Sequence, residues 1–210
     1  MSRKKKGLIL LGLLLIAAAL FLVAYNIHEE MAAKEFIKNV VIRLQETVSE
    51  TKSESVIDEK DILRGEIEIP DYILSPGMDM PAENIEGQDY IGLLAISSLE
   101  LQLPVISQWS DSLLKIAPCR YSGSPYMDNL ILAGSNYKSH FGKIKNLRVG
   151  DRVTFTDLDA NVFIYEVAEL YILTSPSFEQ MISEECDLYL FTRTTGGQSQ
   201  VIVCCERVQE

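Results

Sequence analysis

The chain has 210 residues, 47% of them hydrophobic, with 19 Lys and Arg against 30 Asp and Glu and four Cys. That apolar share excludes a disordered acidic tail, and so few cysteines exclude a disulfide-stapled miniprotein. A formal charge of −11 and a pI near 4.7 argue against a nucleic-acid partner, because phosphate binding needs a basic face that displaces counterions.

The amino end reads Ser2-Arg3-Lys4-Lys5-Lys6 and is followed by Gly7 to Ala24, a run without a charge. A helix of that length rises about 27 Å, close to the hydrocarbon thickness of a bilayer. Cations before it and Glu29 and Glu30 after it orient a single span with its amino end in the cytoplasm. The alternative is a cleaved signal peptide, but its apolar stretch is typically shorter, about 7–15 residues. The expected layout is a basic tail and signal-anchor over 1–25, a polar, partly helical stalk over 26–62 and a β-barrel domain over 63–210. The protein is then expected at the cell membrane, single-pass, with its carboxy-terminal domain outside. Removing the four amino-terminal cations leaves 15 basic against 30 acidic residues, so the exported part carries −15.

In the stalk, Ile37, Val41, Leu44 and Val48 form one apolar stripe on a 3.6-residue helix. Such a stripe suits a helix lying on its own domain better than a coiled coil, which needs roughly three or four heptads. The segment from Glu46 to Ser55 is too polar to pack and reads as spacer.

From about Gly65 the pattern changes to short strands rich in β-branched and aromatic residues. They are expected at Tyr90–Ile96, Leu101–Ile106, Asn129–Ala133, Arg152–Thr156, Val162–Leu173, Leu188–Thr192 and Val201–Cys205. Turn chemistry marks 75–77, Gly150-Asp151, Asp157–Asn161 and Gly196-Gly197. Short helices fit around Phe141–Leu147 and around Pro176–Ile182, where Ser175 can cap and Pro176 takes the first helical position. Seven or eight strands in about 145 residues indicate a mainly β chain closed, or nearly closed, into a barrel.

Generic motifs are absent. There is no phosphate-cradling G-x-x-x-x-G-K and no H-E-x-x-H. Asp157, Asp159 and Asn161 open like a calcium loop, but Val162 and Ala168 stand where a Gly and a bidentate Glu belong. A hairpin turn explains them better, and neither a metal nor another cofactor is expected. Cys119, Cys186, Cys204 and Cys205 form no C-x-x-C pair. Export permits a disulfide, and the adjacent Cys204 and Cys205 face opposite ways on a strand. Buried unpaired thiols are the default, with Cys204 read as a core thiol.

Several blocks resemble a known family. Leu114-Lys-Ile-Ala-Pro-Cys-Arg-Tyr-Ser-Gly and Asn129-Leu-Ile-Leu-Ala-Gly-Ser-Asn-Tyr-Lys-Ser-His-Phe-Gly142 are similar to segments of sortases, the membrane-anchored cysteine transpeptidases of Gram-positive surfaces. So are Leu147-Arg-Val-Gly-Asp-Arg-Val-Thr-Phe-Thr-Asp157 and the stretch from Asp187 through Phe191-Thr192-Arg193-Thr194 to Val203. The resemblance, class B-like, spans about Asp89 to Val208.

It implies an eight-stranded barrel in which a Cys attacks the Thr–Gly bond of a sorting signal such as Leu-Pro-x-Thr-Gly. A His would act as acid and base, and an Arg would steady the oxyanion. At the matching positions this chain carries Ser135, Arg193 and Gln200 in place of that His, Cys and Arg. A guanidinium has no lone pair to offer, so Arg193 is no nucleophile. A Ser hydroxyl does not exchange protons usefully near neutral pH, and a neutral amide is a weaker oxyanion donor than a charged one. The resemblance with these substitutions implies a catalytically inactive pseudosortase. It would bind a sorting-signal peptide, a pilin or other surface protein, or an active sortase, along a groove near Asn136, Tyr137, His140, Thr192 and Thr194.

Two other readings remain open. Ser135 and His140, five residues apart, can form a hydroxyl–imidazole pair in an enzyme with relocated chemistry, although a structural role for His140 is favoured. A purely structural surface module, assembled through the stalk stripe, is the other. For Arg193 itself, a compensating swap neutralised by a nearby acid is preferred to carboxylate binding.

Overall fold

The structure, a computed structural model, describes residues 3–54, 69–174, 186–194 and 199–208; the side chains of 3–11, 26, 27, 29–33 and 54 lie outside that description. The expected helix around Pro176–Ile182, the Gly196-Gly197 turn and the junction at 62–63 also fall outside the described residues.

A long helix α1 (Arg3–Glu54) and a one-turn helix α2 (Asp71–Leu74) precede nine strands. In chain order these are β1 (Glu83–Ile85), β2 (Gln88–Ile96), β3 (Leu101–Ile106), β4 (Cys119–Ser122) and β5 (Leu130–Ala133), then β6 (Arg152–Asp157), β7 (Val162–Leu173), β8 (Leu188–Arg193) and β9 (Gln200–Arg207). The hydrogen-bonded order is β1-β2-β3-β4-β5-β8-β9-β7-β6, and β2 also pairs with β6. That last pairing closes β2 to β9 into an eight-stranded barrel, with β1 as a hairpin flap on β2. β2 therefore has neighbours on both edges, and Gly92 is where they crowd: a Cβ there would lie 2.2 Å from the Thr156 carbonyl oxygen.

Alternation sorts the side chains between two cores. Leu188 and Leu190 of β8 and Val201, Val203 and Cys205 of β9 point into the main core, with Phe155, Phe163 and Tyr165. Tyr189 and Phe191 of β8, with Ile202 and Cys204 of β9 and Ile131 of β5, form a second cluster on the barrel's outer face. The acidic segment at 157–161 is the β6–β7 turn. The buried Asp157 carboxylate accepts from the Tyr126 hydroxyl at 2.7 Å and from the backbone and side-chain nitrogens of Asn161 at 2.8 Å, so its lone pairs are committed to holding the turn.

The stalk stripe packs on its own barrel, as its spacing indicates. Ile37, Val40, Val41 and Leu44 are buried in the main core, with Val48 half-buried beside them. A stripe so used is not free to mediate assembly. The segment read as spacer is a correction: α1 continues through it to Glu54. Its hydroxyls join the helix rather than compete with it, as Ser49, Thr51 and Ser53 each donate to the carbonyl four residues back. Thr47 also donates to Glu83 of β1 at 2.7 Å, tying the helix to the flap. Among the described residues no helix is long and apolar enough to cross a membrane; the expected span begins within 3–11, whose side chains lie outside the description.

Leu44 is fully buried between α1 and the barrel, whereas Ile42 on the same helix faces solvent. Leu44→Ala is expected to lower unfolding free energy by about 2–5 kcal/mol, and Ile42→Ala by less than about 0.5 kcal/mol. Urea titrations of the two variants followed by circular dichroism check this.

Candidate functional site

Three strands bring Ser135, Arg193 and Gln200 together. β5 runs parallel to β8 with Ala133 opposite Phe191, and the Gly134 N–H donates to the Phe191 carbonyl at 3.0 Å. β8 runs antiparallel to β9 with Arg193 opposite Gln200. Ser135, two residues past Ala133, thus comes level with Arg193, and Arg193 and Gln200 are cross-strand neighbours. By alternation Arg193 shares the outer face with Phe191, and Gln200 shares it with Ile202.

The chain then turns back beneath Ser135. Phe141 N–H donates to the Ser135 carbonyl at 3.1 Å, while His140 and Gly142 N–H both donate to the Tyr137 carbonyl at 2.9 Å. Gly134 permits this fold-back, since a Cβ there would sit 2.4 Å from the Phe141 ring. The turn delivers His140 into full burial, edge-on to Tyr137, with Nδ1 hydrogen-bonded to the Ser135 hydroxyl at 2.5 Å. Burial pulls the imidazole down from 6.5 to about 4, against a smaller upward pull from the Leu114 backbone. The Ser135 hydroxyl and the Leu114 backbone are thus the polar groups that meet the ring.

The remaining expected groove residues lie elsewhere on the same end of the barrel. Thr192 and Thr194 alternate away from Arg193 and, with Asn136 and Lys145, line a cleft of only about 40 Å³. Small-molecule pockets typically reach several hundred Å³. Thr194 also closes the β8–β9 hairpin, its hydroxyl donating to the Ser199 carbonyl at 3.0 Å.

Arg193 is exposed and makes no ion pair among the described residues, so the neutralising acid expected for a compensating swap is not found there. The Gln200 Oε1 is buried without a hydrogen-bond partner among the described residues. Beside them on the outer face runs an aromatic row that sequence patterns did not reveal. Phe191 meets Tyr121 edge-on at 5.4 Å, and Tyr121 meets Trp109 at 5.3 Å. These rings come from three separate segments, and only the barrel register aligns them.

The comparisons with known proteins agree with this geometry. A family model for the sortase domain matches residues 94–209, more than half of the chain. The chain belongs to the sortase family. Among solved structures, sortase C of Streptococcus pneumoniae is similar at 15% identity, covering 82% of this chain and 97% of that one, with a TM-score of 0.59. Sortase C1 of Streptococcus agalactiae is similar at 18% identity, covering 82% and 99%, with a TM-score of 0.56. The sortase D5 transpeptidase of Clostridium perfringens gives 21% identity, 79% and 98% coverage and a TM-score of 0.54. At these identities the solved structures establish the eight-stranded sortase barrel and no more. No curated protein matches the chain.

The cysteines of this sortase-family chain are all accounted for. Cys204 is bonded to Cys186 across 18 residues, which corrects its reading as a free core thiol. Sequence alone left the partner open, because only the β8–β9 register brings Cys186 to the outer face of β9. Cys119 and Cys205 are free but buried, and burial pushes both thiols up to about 12. None of the four offers a thiolate near Arg193.

Two expectations follow from these groups. A native sample treated with a thiol reagent at pH 8 is expected to show almost no label, against two labelled cysteines after unfolding without reductant and four with it. Mass spectrometry counts the adducts. For His140, folding lowers the pKa, so the unfolded chain binds a proton near 6.5 that the folded protein takes up only near 4. The neutral ring's contribution is complete above about pH 6.5, falls away towards pH 4 and is flat below, a span of roughly 3 kcal/mol at most. Urea unfolding between pH 7 and 4.5 is expected to show a smaller loss in His140→Asn than in the unchanged protein.

Proposed function

We propose that this sortase-family protein is a membrane-anchored, extracytoplasmic pseudoenzyme that binds a sorting-signal peptide or surface-protein partner without cleaving it. One observation carries the reading: the strand-end position matching the family nucleophile is occupied by Arg193, level with Ser135 and opposite Gln200. A cation without a lone pair cannot attack a carbonyl carbon, and every thiol in the chain is either disulfide-bonded or buried. Losing a nucleophile leaves only the catalysis that binding and oxyanion contacts supply. Membrane anchoring is supported by the basic amino end and by Leu13–Ile16 and Leu20–Val23, whose large apolar side chains are all exposed on α1. Partner binding is supported by the aromatic row beside Arg193.

A second reading is favoured by the Ser135–His140 hydrogen bond, which places a hydroxyl on an imidazole as an acyl-transfer enzyme would need. The ring weakens that reading: a base pulled to about 4 by burial is far from the operating pH, and protonating it would create a charge where none is solvated.

The full chain in detergent micelles, given a Leu-Pro-x-Thr-Gly peptide and hydroxylamine, is expected to release no product above background. Fluorophosphonate is expected to leave Ser135 unlabelled. Restoring Ser135→His, Arg193→Cys and Gln200→Arg together is expected to give hydroxylamine-dependent cleavage at least about tenfold above background. Turnover or covalent labelling of the unchanged protein overturns the pseudoenzyme reading.

A further inference from the structure

The substitution at the nucleophile position does more than remove chemistry; it installs a different recognition element. Arg193 stands exposed at the end of β8, permanently charged and without an ion pair among the described residues, on a protein whose net charge is −11. The planar fork of Arg193 matches a carboxylate with two parallel hydrogen bonds. Phe191 lies two residues back on the same strand face, backed by Tyr121 and then by Trp109, which is 44% exposed. That row gives apolar footing beside the cation for the residues that lead up to a charged chain end.

We infer that this face receives the free C-terminal carboxylate of an extended peptide, with Arg193 gripping the carboxylate and the Phe191–Tyr121–Trp109 row seating the preceding side chains. The inference rests on the peptide-binding reading above and names its ligand class. A nucleophile at this position would meet the carbonyl carbon of the bond to be broken. A guanidinium in the same place meets that carbon once it is already a carboxylate, so the occupant is a finished chain end and not a scissile bond. The neighbouring cleft beside Thr192 and Thr194 is on the opposite strand face and too small to serve instead.

The test uses the full chain in detergent micelles and three N-terminally fluorescein-labelled peptides: Leu-Pro-Ala-Thr as the free acid, the same sequence as the C-terminal amide, and Leu-Pro-Ala-Glu as the amide. Fluorescence polarisation is expected to give about tenfold tighter binding for the free acid than for either amide, the scale of one charge-assisted contact. Arg193→Gln is expected to abolish the gap by weakening free-acid binding about tenfold, and Arg193→Lys to retain part of it. Matching melting curves confirm that each variant is folded, as the exposure of Arg193 leads one to expect. Equal binding of free acid and amide, or a gap that survives Arg193→Gln, overturns the inference and leaves the groove reading intact. So does a Glu amide that binds as tightly as the free acid, since the ligand is then an acidic side chain. No binding of any of the three overturns both.

Discussion

Everything at the site depends on the pairing of β8 with its two neighbours. The parallel ladder to β5 and the antiparallel ladder to β9 fix Arg193 and Gln200 side by side on the outer face, with Ser135 level with them just past the end of β5. A shift of one residue in either ladder would send Arg193 or Gln200 into the main core, where an unpaired guanidinium costs several kcal/mol. The register is held from both sides: Leu188, Leu190, Val201 and Val203 are buried inward, and Tyr189, Ile202 and the Cys186–Cys204 bond are buried outward. A strand pair apolar on both faces has no cheap alternative alignment.

On the proposed reading, Ser135, Arg193 and Gln200 make a single electrostatic change: a hydroxyl, a cation and an amide stand where the resemblance implies a base, a nucleophile and a cation. The positive charge would then be moved one strand over, from the β9 position to the β8 position. His140 is sequestered under Ser135 and kept neutral by burial. The Ser135–His140 hydrogen bond then reads as satisfaction of a buried ring nitrogen, the ordinary requirement for a polar group taken out of water.

The parts of the fold with strong local periodicity were legible in the sequence. Leu101–Ile106 and Val162–Leu173 coincide with β3 and β7, because β-branched runs bounded by turn residues admit little else. β1 and β4 were not legible: at three and four residues they are too short to alternate, and β4 pairs with β3 through a single residue, Ile106 with Cys119. The substituted site positions were legible only through the family blocks, since no spacing rule distinguishes Arg193 from any other strand-end arginine. The disulfide and the Trp109–Tyr121–Phe191 row were hidden for one reason. Each joins residues that are distant in sequence and adjacent only after the barrel closes. The polar stretch after Glu46 misled because it has too little apolar content to pack, whereas its hydroxyls are used along a helix that continues through it.

The helix that carries those hydroxyls also links the proposed anchor to the site. α1 is continuous from Arg3 to Glu54, and its stripe from Ile37 to Leu44 is part of the barrel's core. From Ala24, where the apolar run ends, to Ile37 are thirteen residues, or about 20 Å of helix. If the apolar run is held in a bilayer as proposed, the barrel rides on a helical rod and not on a flexible tether, because a core contact cannot slide without losing the burial of Leu44. A binding face held at a set height favours chain ends already displayed near the membrane, whereas a long flexible linker would sample many heights at a lower effective concentration. The same packing makes the stalk inseparable from the domain: cutting the chain after the helix would remove four buried side chains, Ile37, Val40, Val41 and Leu44, from the core.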